Sequence, residues 1–253
     1  MKKATLLALA LLLAPSAFAL SIYDIQYSTP PDYESPYLGE TVDVSGGVVT
    51  KIWIGYRTKV TIQDPTLGDA WAGVQIVFDD ESQIGDLARG DRIDIFGVVV
   101  DESHGNTLLM YEETSSFVIN ATGYEIDPLI VPITEIPYPV DHDLSEKYEF
   151  MLLQVIGVHV GAMDLGSHED NYELVNDDGV CWAADYVCAD LPPGSDYYVD
   201  PDDCFASVTG YLEQYVNDEY DYYQLLPRDA QDYVEGATPA QETTWGGVKA
   251  LFK

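Results

Sequence analysis

Basic residues are scarce in this sequence. Against 44 Asp and Glu residues there are only 11 Lys and Arg residues, which gives a formal net charge of -33 at pH 7. A negative field of this size opposes non-specific binding to nucleic acid and to anionic lipid, and it favours solubility in salt. The composition therefore indicates an acidic surface suited to a saline medium. Calcium binding by carboxylate-rich loops is the alternative interpretation of the same acids.

Long apolar runs are also lacking. The run at residues 6–13 is too short to span a bilayer, and no later segment approaches the roughly 20 apolar residues that a membrane helix needs. That short run follows Lys2 and Lys3 and precedes Ala17-Phe18-Ala19, an order typical of a secretory signal with its cleavage site. We therefore expect residues 1–19 to be a signal peptide and the product to be secreted or held at the cell surface, with no membrane span.

Cysteine is limited to three residues, all in the second half of the chain: Cys181, Cys188 and Cys204. Export permits a disulfide bond, and three residues leave one thiol over. A Cys181–Cys188 bond would close a short loop, whereas a Cys188–Cys204 bond would close the longer acidic loop and constrain the unfolded chain more. The second pairing is the expected one. No Cys-x-x-Cys pair is present, which argues against structural zinc.

Short apolar strands separated by turn residues fill the first half. Runs rich in Val, Ile and aromatic residues predict strands at residues 41–54, 58–63, 72–78, 92–101 and 107–119. Residues 82–90 interrupt the pattern after the third strand, and the Gly46-Gly47 pair predicts a bulge inside the first. Five strands with a break after the third are the order of an OB-fold, a small Greek-key barrel.

The second half repeats this plan, with predicted strands at residues 150–163, 171–176, 180–187, 204–215 and 220–226. The clearest internal match sets an apolar run that crosses Gly97 beside one that crosses Gly210. The predicted fold class is therefore all-β, with tandem OB-fold-like five-stranded Greek-key barrels. A single larger β-sandwich is the competing fold, because sequence separates antiparallel barrels from sandwiches poorly.

The predicted domain limits follow from this repeat. We expect the first barrel over residues 20–126, a Pro-rich linker over 127–139, the second barrel over 140–234, and a linker with a tail over 235–253. Residues 243–253 contain Trp245 and two lysines but no acid. This composition suggests an export or attachment tag or a segment that docks on a partner, and a frayed terminus is the alternative.

Residues 23–77 also resemble a known family. An Ile-Gln pair at 25–26, a Ser-Pro pair at 35–36 and Gly-Glu-Thr-Val at 39–42 lead into an apolar strand, and Gln-Asp-Pro at 63–65 precedes Gly73 and a further strand. This order resembles the accessory OB-fold module of secreted bacterial nucleases. The resemblance implies a secreted binding module, and because this chain has no room for the catalytic domain of that family, we expect the module without its enzyme.

The best candidate site is a basic and aromatic hairpin. Lys2 and Lys3 apart, nine Lys and Arg residues remain, and three of them fall within residues 51–59. The predicted ligand-binding residues are Lys51, Trp53, Tyr56, Arg57 and Lys59. The hairpin between the first two strands commonly lines the ligand face of OB-folds, and aromatic rings beside cations suit a nucleic acid or a glycan. Three cations support little phosphate affinity in salt, and an ordinary exposed hairpin is the alternative.

Two acidic runs are the candidate calcium sites. They contain Asp164, Glu169 and Asp170 in one loop and Asp200, Asp202 and Asp203 in another. Calcium takes six to eight oxygen ligands, but neither run has the spacing of an EF-hand loop. Calcium is thus the one cofactor that the sequence suggests, and otherwise none is expected.

Motifs for catalysis are absent from the sequence, which has no Gly-x-Ser-x-Gly elbow, Walker loop or His-Glu-x-x-His motif. We therefore expect no enzyme activity. The first hypothesis is a binding module for an extracellular polymer, either nucleic acid or glycan. The alternative is an acidic surface protein or self-assembling homo-oligomer, which could depend on calcium.

Overall fold

A computed structural model describes residues 19–167 and 170–236, and these residues are almost entirely β-structure. The first six strands are β1 (Thr41–Ile54), β2 (Thr58–Gln63), β3 (Gly73–Phe78), β4 (Arg92–Ser103), β5 (Asn106–Met110) and β6 (Ser116–Ala121). The others are β7 (Leu129–Ile130), β8 (Leu152–Val160), β9 (Asn171–Asn176), β10 (Gly179–Ala184), β11 (Cys204–Val216), β12 (Asp221–Leu226) and β13 (Tyr233–Glu235).

Helical structure within the described ranges is limited to short turns. The α-helices are α1 (Ile22–Gln26) and α2 (His142–Ser145), and 3₁₀ turns occupy Glu81–Gln83, Ile133–Glu135, Glu146–Tyr148 and Ala230–Asp232. None of these helices has the length or the apolar character required to cross a bilayer. The predicted signal peptide up to residue 18 and the tail at residues 243–253 lie outside the described residues.

The first barrel closes through five strands. Strand β1 pairs with both β2 and β4, β2 pairs with β3, β3 pairs in parallel with β5, and β5 pairs with β4. The resulting closed order of first, second, third, fifth and fourth strands is that of an OB-fold. Its interior holds a cluster of aliphatic side chains to which Ile22 and Ile25 of α1 also contribute.

The second barrel has the same topology. Strand β8 pairs with β9 and β11, β9 with β10, β10 in parallel with β12, and β12 with β11. The predicted tandem of OB-fold barrels is therefore confirmed, and the single sandwich is wrong. Strands β6 and β13 extend the repeat to a sixth strand, since each pairs with the first half of the fourth barrel strand, β4 or β11.

The internal match between Gly97 and Gly210 has a structural reason. Strand β4 pairs with β6 up to residue 96 and with β5 from residue 99, and β11 pairs with β13 up to residue 208 and with β12 from residue 211. Each glycine thus lies where the long fourth strand changes neighbours. A Cβ at Gly210 would lie 2.7 Å from the Leu226 carbonyl carbon, so only glycine fits there.

The predicted bulge at Gly46-Gly47 is also present. The β1–β4 register shifts between Val44 and Gly47, and Gly46 has a φ of +84°. A Cβ on Gly47 would approach Ile62 Cδ1 to 2.6 Å, so the second glycine admits the packed core side chain. The single strand expected at 107–119 is instead two strands, because Ser115 turns the chain by donating from Oγ to the Gly97 carbonyl at 2.7 Å.

The Pro-rich segment at 127–139 packs on the second barrel. Its strand β7 pairs in parallel with β8, and Val131, Ile133 and Ile136 are buried in the core of that barrel. The Tyr138 ring stacks on Trp182 with centroids 3.9 Å apart. The predicted linker therefore contributes an edge strand and core residues rather than a spacer.

The two barrels pack directly on each other. A third apolar cluster joins Val77 and Leu108 of the first barrel to Phe150, Tyr211 and Leu226 of the second. Polar contacts cross the same boundary, since the Leu152 amide donates to Gln63 Oε1 at 2.8 Å and Trp71 donates its amide to the Lys147 carbonyl at 2.7 Å. Buried apolar and polar contacts together fix the relative position of the barrels.

The predicted Cys188–Cys204 disulfide bond is not formed in the described structure. Cys204 opens β11 opposite His159 of β8, and its Sγ lies 3.4 Å from the Asp202 carbonyl. Cys188 is buried beyond the end of β10, where its amide donates to the Asp185 carbonyl. Cys204 is held by strand β11 and Cys188 by the turn after β10. In these positions the two sulfur atoms are not bonded to each other.

Candidate ligand site between the two barrels

A cavity of about 740 Å³ lies between the barrels. Its first wall consists of β2, β3, the β1–β2 hairpin and the β4–β5 hairpin, which are the elements that carry ligands in OB-folds. Its second wall comes from β11 and β12 and from Tyr186, so the second barrel turns the open ligand face of the first into a cleft. We call this space the inter-barrel cavity.

Four of the five predicted hairpin residues line the inter-barrel cavity: Trp53, Tyr56, Arg57 and Lys59. Lys51 does not. Its Nζ donates to the Arg228 carbonyl at 2.7 Å, and the burial that accompanies this contact lowers the pKa of the Lys51 ammonium. Lys51 therefore links the two barrels. It has a structural role instead of the ligand contact that was predicted for it.

The Trp53 indole is held in place at the cavity wall. The Tyr186 ring meets it edge-on at a centroid distance of 6.1 Å, and Lys59 Nζ lies 5.7 Å from the ring centroid. A Cβ at Gly55 would lie 2.3 Å from the indole, so the glycine lets the ring lie against the hairpin. Trp53 is thus an ordered aromatic surface beside Tyr56, whose side chain is 98% exposed.

The cations of the cavity are paired within the protein. Lys59 Nζ lies 3.3 Å from Glu213 Oε1, while Glu213 Oε2 accepts from the Tyr186 hydroxyl at 2.7 Å and from Gln224 Nε2 at 3.2 Å. Arg57 lies 4.0 Å from the Asp79 carboxylate. Asp101 and Asp170 also line the cavity. The lining is consequently close to neutral rather than basic.

A row of aromatic rings runs from the β4–β5 turn of the first wall to β11 and β12 of the second. His104 stacks on Tyr215 at a centroid distance of 5.1 Å with 7° between the planes, and Tyr215 stacks on Tyr222 at 5.5 Å with 23°. These rings were not among the site residues predicted from the sequence. The signal was present in the tyrosine-rich β11–β12 hairpin and the His-Gly-Asn turn, but nothing in the sequence placed the two barrels face to face.

A reciprocal amide pair ties the β4–β5 hairpin to β11. Asn106 Nδ2 donates to the Gln214 carbonyl at 2.6 Å, and the Gln214 amide donates to Asn106 Oδ1 at 2.9 Å. The Asn106 side chain thereby satisfies the backbone amide and carbonyl of Gln214 across the boundary between the barrels, as a neighbouring strand would. The cavity is preformed by these bonds, which reduces the ordering that a ligand must impose.

A group of buried carboxylates lies behind the cavity at the boundary between the barrels. The Tyr223 hydroxyl donates to Glu146, and the Thr107 amide donates to Glu149 at 3.2 Å. Burial raises the pKa of Glu146 to about 7, and burial together with the neighbouring Glu146 charge raises the pKa of Glu149 well above its usual range. No motif in the sequence marked these acids.

The predicted calcium ligands are not gathered into a site. Asp203 Oδ2 accepts from the Asp200 amide at 2.8 Å and so closes its own turn. In residues 19–167 and 170–236, no three His, Cys, Asp or Glu side chains form a group that could hold a metal. Asp170 lines the inter-barrel cavity instead, with Asp164 in a separate turn and Glu169 outside the described residues. Calcium binding stays a prediction from the sequence.

Comparison with known proteins gives structural likeness alone. No protein-family model and no curated protein matches the chain. A murine DNA-binding protein bound with double-stranded DNA is 11% identical, with 80% of this chain and 99% of that chain covered at a TM-score of 0.40. The tetrameric p202 HIN2 structure is 13% identical, covering 79% and 94% at 0.38, and fission yeast Pot1 with single-stranded DNA is 11% identical, covering 92% of each at 0.31.

The OB-fold assignment is independent of this likeness, because it follows from the closed strand order of each barrel. The resemblance of residues 23–77 to secreted nuclease modules implied an OB-fold, and the structure confirms that fold.

Proposed function

We propose that this protein is an extracytoplasmic, non-enzymatic binding module that takes a glycan chain in the inter-barrel cavity. The observation that carries this proposal is the lining itself. Aromatic rings lie on both walls, and amide and carboxylate groups lie between them. The two cations of the lining, Lys59 and Arg57, each contact an acid of the protein.

A sugar unit matches such a lining. One face of a pyranose ring presents C–H groups that pack against the negative face of an aromatic ring, while its edge carries hydroxyl groups that both donate and accept hydrogen bonds. Trp53 on the first wall and Tyr215 on the second, which stacks on His104, supply the rings. A cavity of about 740 Å³ is within the usual size range of small-ligand sites.

Nucleic acid, the other ligand class considered from the sequence, fits the charges less well. Phosphate binding in salt grows with the number of cations that neutralise phosphates. Here Lys59 is paired with Glu213, Arg57 with Asp79, and the chain carries a formal charge of -33. Bases could stack on the rings, but the field of the protein opposes the backbone that holds them together.

The non-enzymatic part of the proposal is supported by the lack of catalytic motifs in the sequence and by the contacts of Glu213. Its two oxygens accept from Lys59, Tyr186 and Gln224, so this acid of the cavity is engaged within the protein and not directed at a glycosidic oxygen. The extracytoplasmic location is supported by the signal-like order of Lys2-Lys3, the apolar run and Ala17-Phe18-Ala19. Self-assembly stays a separate prediction, because residues 243–253 lie outside the described structure.

Replacing Trp53 with alanine tests the site. We expect the Trp53→Ala variant to bind a neutral hexasaccharide about tenfold more weakly than wild type, a loss of about 1.4 kcal/mol and of the order of one aromatic packing contact. Isothermal titration with gluco-, xylo- and chito-hexaoses measures it, alongside single-stranded DNA at low salt. Tyr124→Ala is the matched control, because this aromatic side chain is 41% exposed and lies outside the cavity.

Two results would contradict the proposal. One is binding of the hexasaccharide that is as tight in Trp53→Ala as in wild type, and the other is binding of single-stranded DNA with no binding of any glycan. Release of reducing ends from the bound hexasaccharide would disprove the non-enzymatic part alone.

A further inference from the structure

One acceptor in the wall of the inter-barrel cavity has no donor within the described residues. Gln75 on β3 lines the cavity and is 1% exposed. Its Nε2 donates to Thr61 Oγ1 at 3.3 Å, which fixes the side chain. Its Oε1 is buried and accepts no hydrogen bond from any group in the part of the chain that the structure describes.

The neighbouring amides and acids of the cavity differ from Gln75 in this respect. Gln224 donates from Nε2 to Glu213 and accepts at Oε1 from Asn171 at 2.6 Å. Asn106 uses both ends of its amide on Gln214. The internal network therefore satisfies these groups and leaves one buried acceptor in the cavity wall, Gln75 Oε1.

A buried acceptor without a hydrogen bond lowers the stability of the folded protein. A donor from water or from a ligand offsets this cost. Sites built to hydrogen-bond one ligand group discriminate strongly against analogues that lack it. A free acceptor calls for a donor on the ligand. Sugar hydroxyls donate, whereas the oxygens of a phosphodiester or a sulfate ester at neutral pH only accept. The bases of a nucleic acid also donate, but the acidic field of the protein opposes the phosphate backbone that carries them.

We propose that Gln75 is the specificity-determining residue of the inter-barrel cavity, where its Oε1 accepts a hydrogen bond from a hydroxyl group of an uncharged sugar unit. This inference rests on the proposed glycan-binding function and narrows it to neutral glycans. The pairing of Lys59 with the buried Glu213 carboxylate agrees, because this ammonium is already neutralised within the cavity wall.

Replacing Gln75 with methionine tests the residue. The Gln75→Met side chain has a similar length but no carbonyl oxygen, and we expect the affinity for the neutral hexasaccharide that binds wild type best to fall about tenfold. Gln231→Met is the matched control. It makes the same substitution at an exposed glutamine outside the inter-barrel cavity, so its affinity should stay within about threefold of wild type.

A ligand series on the wild-type protein gives a second test that does not depend on the folding of any variant. Among singly deoxygenated forms of the same oligosaccharide, we expect one position whose loss weakens binding about tenfold. That deoxygenated ligand should bind Gln75→Met as tightly as the parent ligand does, because both changes remove the same hydrogen bond.

The outcomes separate the two proposals. If wild type binds and Trp53→Ala weakens binding, but Gln75→Met binds like wild type, the role of Gln75 is overturned and the glycan site stands. A deoxygenated series in which no single position matters also overturns the role of Gln75. If wild type binds no neutral glycan, both proposals fail.

Discussion

Replacing Gly73 with alanine is expected to lower the free energy of unfolding by about 3 kcal/mol, because overpacking against backbone allows little relaxation. Gly73 opens β3 where the barrels meet, and a Cβ there would lie 2.2 Å from the carbonyl carbon of Phe150 and 2.5 Å from the Met151 amide nitrogen. The Gly73 carbonyl also accepts from Gln26 Nε2 at 2.6 Å, so β3 has little freedom to move away.

Urea denaturation followed by circular dichroism measures this change, and the chain contains its own control. A Cβ added at Gly68 would meet no described atom within 4 Å, and the φ of this glycine is not positive. Gly68→Ala should therefore leave stability unchanged or raise it by up to about 1 kcal/mol, through the entropy of the unfolded chain. Equal stability of Gly73→Ala and Gly68→Ala would contradict the close packing of the two barrels.

The second large effect is expected in the pH dependence of stability. Burial raises the pKa of Glu146 to about 7, against a value near 4.5 in the unfolded chain. Between these values the folded state binds more protons than the unfolded state, so stability falls as pH rises. From pH 5.5 to pH 8 we expect the free energy of unfolding to fall by about 2 kcal/mol from this group alone.

The surroundings of Glu146 support this direction. Tyr223 and Ser28 donate to its carboxylate and His142 lies nearby, all of which favour the anion, but desolvation is the largest influence. The buried Glu149 shifts in the same direction.

A glutamine at position 146 isolates the effect. Glu146→Gln keeps an acceptor for Tyr223 and removes the titration, so its free energy of unfolding should vary less between pH 5.5 and 8 than that of wild type. Glu40→Gln, at an exposed acid, should keep the wild-type slope. A wild-type protein that becomes more stable as pH rises over this range would show that Glu146 is not desolvated as described.

The barrels could be predicted from the sequence because their determinants are local. Strand bounds for β1, β2 and β9 follow directly from apolar runs and turn residues, and Gly46-Gly47 indicates the bulge. The match between Gly97 and Gly210 indicates the repeat, but the change of strand partners at these glycines emerges only from the structure. The split of the strand at 107–119 was missed, since Ser115 acts through a bond to Gly97 that is distant in the sequence.

Only one wall of the site could be predicted, because only that wall has local determinants in the sequence. The hairpin with Trp53 and Lys59 carries a composition signal, and the structure places it in the cavity wall. The opposite wall at Tyr215 and Tyr222, and the acceptor at Gln75, depend on how the two barrels pack. Lys51 shows the converse, because its place among the basic and aromatic residues of the hairpin suggested a ligand contact, while the second barrel supplies the Arg228 carbonyl as its partner.

The most direct test of the central claim follows the Trp53 indole N–H by nuclear magnetic resonance while a neutral hexasaccharide is added. Trp53 lines the inter-barrel cavity, and Trp71, which contacts Tyr27 away from it, is the internal reference. We predict a saturable shift of the Trp53 signal, with the same affinity as calorimetry gives, and an unchanged Trp71 signal. Saturable glycan binding that leaves the Trp53 signal in place would contradict a ligand site between the barrels.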